Sequence, residues 1–155
     1  MGEIAMKKLT VVCFFCLLSF LIISCDKFNS EMSLVKKGVL EFDKSLTVGQ
    51  AFDNYKYFKE TKWEVITTEN GKKIVQVTGD FDVSKFSEPY KSNVKNMYAK
   101  FQFQINQDKT FDLGWCGVGG ERNDGSKLEP ETNANTLECI SSMKEIYDNK
   151  CPFKE

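Results

Sequence analysis

Ala99, Phe101, Phe103 and Ile105 alternate with Lys100, Gln102 and Gln104, and after a polar interval Phe111, Leu113 and Trp115 repeat the pattern. A period of two is the mark of a strand with one buried face. Asn106-Gln107-Asp108-Lys109-Thr110 is an odd-numbered interval, so an antiparallel hairpin closed by it puts both apolar rows on the same side. The chain must therefore build a sheet with one face that needs cover. Cys116 and Val118 have the opposite parity, and either face away from that row or follow a bulge near Gly114 or Gly117.

A second hairpin is expected upstream. Trp63, Val65 and Thr67 alternate, as do Val75, Val77, Gly79 and Phe81 within Lys73 to Val83. Asn70-Gly71 between them suggests a two-residue turn, but that register would set the two apolar rows on opposite faces. A three-residue loop, Glu69-Asn70-Gly71, pairs Val65 with Val75 and Trp63 with Val77, with Gly71 left-handed.

Two amphipathic helices are the available cover. Thr47-Val48-Gly49-Gln50 has the form of a capping box, and Val48, Ala51, Phe52, Tyr55 and Phe58 (or Tyr57) follow at helical spacing over about three turns. Near the other end Leu137, Ile140, Met143, Ile146 and Tyr147 make one stripe bordered by Cys139, and Pro152 stops the helix. Phe86 to Asn96 reads as a connection, and Gly119 to Asn133, with two glycine breaks and a proline, as an exposed mobile loop. The expected fold class is α+β, a four-stranded antiparallel meander flanked by an N-terminal and a C-terminal helix. The apolar face then holds Trp63, Phe101, Phe103, Phe111 and Trp115.

The N-terminus is different in kind. Lys7 and Lys8 precede an almost unbroken apolar run from Leu9 to Ile23, which stops at Ser24-Cys25-Asp26. A basic start, an apolar core and a small residue before a cut are the parts of a secretory signal. The core falls short of the ~20 residues of a comfortable permanent span, the alternative being an uncleaved transmembrane helix. Ile22-Ile23-Ser24-Cys25 resembles the lipobox of bacterial membrane lipoproteins. That resemblance implies a diacylglyceryl group on the Cys25 thiol, cleavage before it, and residence in the bacterial cell envelope, in the inner or outer membrane, facing the periplasm or the cell surface. It divides the chain into a signal peptide over residues 1–24, a tether over 25–34 and a single domain over 35–155. The one partner it implies is the membrane, through the lipid.

Composition removes several function classes. Histidine is absent, which takes away Ser-His-Asp and Cys-His catalysis and His-ligated zinc. A formal net charge of −1 with interspersed signs gives no basic face, so no nucleic acid is expected. Cys13 and Cys16 fall inside the signal, so their spacing is no redox motif. Cys116, Cys139 and Cys151 remain in an exported, oxidising compartment and allow one disulfide, Cys116 with Cys139 or Cys151.

Candidate chemistry is thin. Cys116 among Gly114, Gly117, Gly119 and Gly120 has the form of a thiolate beside a backbone nest but lacks a base, and a structural cysteine is the better reading. Glu121, Asn123, Asp124, Ser126, Glu129 and Glu131 carry oxygens without the EF-hand spacing. Glu64, Asp80 and Asp82 have no spacing that fixes a pair in a cleft, and Tyr90 and Tyr98 are candidates for a binding rim. Neither a cofactor nor an enzymatic activity is expected. The expected role is a non-catalytic binding or protein-interaction module, acting through its sheet or its acidic loop. The alternative is a carrier of a small apolar ligand in a cavity between sheet and helices.

Overall fold

A computed structural model describes residues 30–130 and 136–153. The signal peptide, Cys25, the start of the tether and Glu131 lie outside the described residues. The first described element corrects the sequence reading: residues 30–34 are not a tether separate from a domain that starts at 35. Helix α1, Ser30–Lys37, runs through both, with Glu31 in its first turn and Lys36 and Lys37 in its last, the arrangement that suits the helix dipole. Val35 is its fully buried residue, and Met32 packs on the core beside it. A helix this short shows too few apolar repeats to be read from spacing alone. It stops at Gly38, where the Phe111 ring fills the space a side chain would need.

Helix α2, Val48–Asp53, begins with the expected box: the Gln50 amide donates to Thr47 Oγ1 at 3.2 Å and the Thr47 amide donates to Gln50 Oε1 at 2.9 Å. It runs for 6 residues rather than three turns. A distant partner overrides the periodicity, since Asn149 accepts from the Lys56 amide at 3.0 Å and its own amide donates to the Asn54 carbonyl at 3.3 Å. Tyr55, Tyr57 and Phe58 are buried as expected, but a turn and the start of a strand deliver them.

The sheet is antiparallel and follows chain order: β1 Phe58–Thr67, β2 Lys73–Phe81, β3 Val94–Ile105, β4 Phe111–Arg122 and β5 Lys127–Leu128. It is a meander, as expected, with five strands rather than four. Val65 pairs with Val75 and Trp63 with Val77, the register of the three-residue loop, and Gly71 has φ 76°. The β3–β4 and β4–β5 loops repeat this geometry, with Lys109 at φ 64° and Gly125 at φ 85° in the same place. A short 3-10 turn, Val83–Lys85, and helix α3, Tyr90–Asn93, link β2 to β3. Helix α4, Thr136–Tyr147, closes the chain.

Two expectations about β4 are corrected. Gly119 and Gly120 do not break it: the Tyr98 ring lies over Gly119 and the Asn96 carbonyl crosses close to Gly120, so glycine is what lets the neighbouring strand approach. The described part of the expected mobile loop is thus strand up to Arg122, a tight turn, β5 and the two residues after it. Trp115 also changes face. Gln102 pairs with Trp115 but Phe103 pairs with Leu113, so Gly114 is the extra residue of a bulge. Trp115 turns to the outer face, and Cys116 turns inward opposite Phe101.

The helices cover one face only. Phe52 of α2 is the hub of the core, with ring centroids 5.5 Å from Trp63, 5.4 Å from Phe101 and 6.0 Å from Phe58. On the outer face Gln76 is 6% exposed and joins a polar ladder: its amide donates to Glu64 Oε1, and the Gln102 amide donates to Gln76 Oε1 at 2.8 Å. Among the described residues no helix is long and apolar enough to cross a membrane.

Candidate functional site

Helix α4 is held at its two ends, to β4 near its start and to the segment between α2 and β1 past its end. Near its start Cys139, fully buried, is disulfide-bonded to Cys116 on β4, with Cα atoms 5.5 Å apart. Past its end Asn149, at φ 55°, makes the bonds to Asn54 and Lys56, and the Tyr55 hydroxyl donates to the Lys150 carbonyl at 2.7 Å. The disulfide sets the helix rotation. Cys139, Met143, Ile146 and Tyr147 form the buried stripe, while Leu137, expected inside, is 78% exposed.

Between the two clamps the facing side chains are small. The row across the sheet is Gly79, Ala99 and Val118, and the Phe58 ring fills the slot over Gly79. Ala99 and Val118 face the helix at Ser142 and leave a cleft of about 460 Å³. Its floor is apolar, made by Phe81, Met97, Phe101 and Ile146 with Leu128 at one side and Phe153 at the other. Phe153 is fixed there by Phe81, Phe86 and Tyr90 rings at 5.5, 4.8 and 5.4 Å, and by a bond of 3.1 Å from the Ser87 hydroxyl to its carbonyl. Val118 is 39% exposed, which marks the mouth.

Charge at the cleft has one sign. Glu129, Glu138 and Glu145 line it and no lysine or arginine does. Burial raises the Glu145 pKa above its ordinary value, and the opposing pull of Lys150 is weaker. The Lys150 ammonium is itself engaged with Asp148 Oδ2 at 2.6 Å. Burial also pushes the Tyr55 phenol well above its ordinary range. No family model, curated protein or solved structure matches the chain.

Of the other candidates Cys116 and Glu129 line this cleft, and the rest of those described lie elsewhere. Cys116 has no thiol to offer, because its sulfur is bonded to Cys139, and its glycine neighbours lie in β4 rather than in a nest. Of the disulfide candidates Cys151 is left free and buried. Glu121 pairs with Lys95 at 2.8 Å, Asp124 accepts from the Ser126 amide at 2.8 Å, and the Asn123 amide donates to the Ser92 carbonyl at 2.7 Å, so these groups serve the β4–β5 turn. Among the described residues no group of three or more His, Cys, Asp or Glu could hold a metal ion. Glu64 belongs to the outer ladder, Asp80 faces Lys62 at 3.8 Å, and Asp82 caps the 3-10 turn through Ser84. Tyr90 packs on Phe153, whereas Tyr98 lies over Gly119 with the Lys100 ammonium 5.2 Å from its ring, so the two make no common rim.

Ser142 and Glu145 are the residues that spacing did not single out, and Ala99 and Val118 were read only as strand positions. A polar Ser142 and Glu145 inside an apolar stripe read as solvated positions. Only the bulge at Gly114, which turns Cys116 and Val118 inward, shows that a cleft lies opposite them.

Proposed function

We propose that this protein is a lipoprotein of a bacterial cell envelope, anchored by lipid on Cys25, whose domain is a non-catalytic binding module. The ligand has a small apolar body and sits in the cleft between α4 and the sheet. One observation carries this: a half-open apolar cavity of about 460 Å³, within the 300–1,000 Å³ range of small-molecule sites, between α4 and the sheet. In the expected acidic loop Glu121 pairs with Lys95 on β3, Asn123 bonds to Ser92 and Asp124 holds a turn, whereas Glu129 lines the cleft.

Lipid attachment contributes ~0.8 kcal/mol per buried methylene, so two or more acyl chains on Cys25 hold the domain at the membrane indefinitely. A carrier fixed there meets ligands that partition into lipid.

The test has two arms. Cys25→Ala is expected to abolish palmitate labelling and leave the precursor uncut; continued labelling refutes the anchor. For the cleft, a neutral alkyl diazirine is photolysed with the full lipidated chain in zwitterionic lipid nanodiscs and its attachment sites are mapped. Labels are expected on cleft peptides, and Val118→Trp, which plugs the mouth, is expected to remove them. Labelling spread evenly over the surface, or unaffected by the plug, refutes the carrier role.

A further inference from the structure

We infer that the ligand of this cleft is a cationic amphiphile, a small apolar chain or ring bearing a protonated amine, and that Glu145 is the residue that receives the amine. The inference rests on the carrier reading above and adds the chemical class of the ligand.

Three independent features of the site point to a cation. First, the lining is apolar except for carboxylates and hydroxyls, with Glu129, Glu138 and Glu145 and no basic side chain. An anionic head group would meet like charge without a counter-ion, whereas an ammonium meets acceptors only.

Second, Glu145 is held half-buried on the cleft side of α4, and none of the ion pairs of the described residues includes it. A carboxylate removed from water without a close partner is costly to keep ionised, and a cation placed beside it offsets that cost. Lys150 is the nearest basic influence on it, but the Lys150 ammonium lies 2.6 Å from Asp148.

Third, Glu145 stands in the last turn of α4, where the helix dipole leaves a partial negative charge that favours cations. The one basic side chain of that turn, Lys144, is directed to the opposite side, with its ammonium 5.7 Å from the Phe42 ring. The Tyr55 hydroxyl, which donates to the Lys150 carbonyl, keeps lone pairs that can accept from an ammonium at the same end of the site.

The apolar floor takes the rest of the molecule. Phe81, Met97, Phe101 and Ile146 line the same cleft as Glu145, with Val118 and Leu128. A head at Glu145 and a tail along β3 and β4 fills the cleft without burying an unpaired polar group.

The experiment uses three photoreactive alkyl diazirines of one chain length ending in a primary amine, an alcohol or a carboxylate. Each is photolysed with the full lipidated chain, wild type and Glu145→Gln, in zwitterionic nanodiscs. The amine-to-alcohol labelling ratio is compared between the two proteins, which cancels differences in partition into the lipid. In wild type the amine is expected to label cleft peptides about tenfold more than the alcohol, and the carboxylate least. Glu145→Gln is expected to bring the amine down to the alcohol while leaving alcohol labelling in place, which also reports that the cleft is intact.

The amine advantage should shrink as salt rises, since the site is open to solvent. Equal labelling of wild type by all three probes overturns the cation inference and leaves the apolar carrier standing. An amine preference that survives Glu145→Gln overturns the role given to that residue. Absence of cleft labelling by any probe overturns the carrier reading itself. Labelling confined to a contact between two copies of the chain assigns the cleft to self-association and overturns both.

Discussion

The Cys116–Cys139 bond should carry a large share of the domain's stability and also hold the cleft open. It closes a loop of sequence separation 23. In the chain-entropy treatment a loop of that length removes about 3.4 kcal/mol of unfolded-state freedom at 25 °C. Both sulfurs are buried, Cys116 at 6% and Cys139 at 0% exposure, so their replacement also sacrifices packing. Against a typical total of 5–15 kcal/mol, a loss of ~3–4 kcal/mol is a shift in melting temperature of roughly 10–20 °C. The perturbation is Cys116→Ala with Cys139→Ala, compared with wild type before and after reduction, followed by urea and thermal unfolding. Cys151→Ala serves as the control that leaves the bond in place. Because the bond fixes the start of α4 over β4, reduction is also expected to weaken labelling of the cleft by the neutral probe. A midpoint that moves by less than ~1 kcal/mol on reduction, or peptide mapping that finds Cys151 in the bond, refutes the reasoning.

Phe52→Ala, at the hub of the ring cluster with Phe58, Trp63 and Phe101, should cost ~3–5 kcal/mol in urea unfolding. Trp115→Ala, on the outer face and half-buried, should cost only ~1–2 kcal/mol; equal costs would restore Trp115 to the core. Asn149→Gly keeps the left-handed turn but removes the bonds to Lys56 and Asn54, so ~1–3 kcal/mol should be lost, and no loss would show that the turn alone fixes the helix end. Asp43, Asp82, Asp108 and Asp124 have lowered pKa values because the Ser or Thr hydroxyl two residues on donates to each. Their unfolded forms take up protons at higher pH, so their contribution is complete above the ordinary value of 3.8 and is lost as pH falls through the lowered values. Glu145, with a raised pKa, acts in the opposite sense and costs stability as pH rises through its titration. Urea midpoints between pH 6 and pH 2 should therefore fall steeply only at the acid end.

The parts of the fold legible in the sequence were those in which local pattern and tertiary environment agree. Ala99 to Ile105 alternates because one face is buried along its whole length, and the Thr47–Gln50 box closes on itself without outside help. Where a distant group intervenes the pattern misleads. Phe58 fits a helical stripe, but Asn149 captures Asn54 and Lys56 and turns the chain into β1. Gly114 inverts the faces of β4: the alternation of Phe111, Leu113 and Trp115 hides it, and the opposite parity of Cys116 and Val118 left a bulge near Gly114 or Gly117 as one of two readings. Gly119 and Gly120 looked like breaks because their need for glycine arises across the sheet, from Tyr98 and Asn96. One repeated local device was there to be read: Asp43-Lys44-Ser45, Asp82-Val83-Ser84, Asp108-Lys109-Thr110 and Asp124-Gly125-Ser126 each place a hydroxyl residue two after an aspartate, a turn pattern with its own mechanism. The cleft was legible only as an alternative, since its walls come from Ala99, Val118, Ser142 and Glu145, and no spacing joins residues on β3, β4 and α4.

The most direct test of an anchored carrier is mass spectrometry under non-denaturing conditions on the protein released gently from its own membrane. We expect a chain that begins at Cys25 and carries a diacylglyceryl mass, together with a small molecule that leaves on activation and is missing from Val118→Trp. A chain that retains residues 1–24 without lipid, and that shows the same bare mass in wild type and in Val118→Trp, would contradict both the anchor and the carrier.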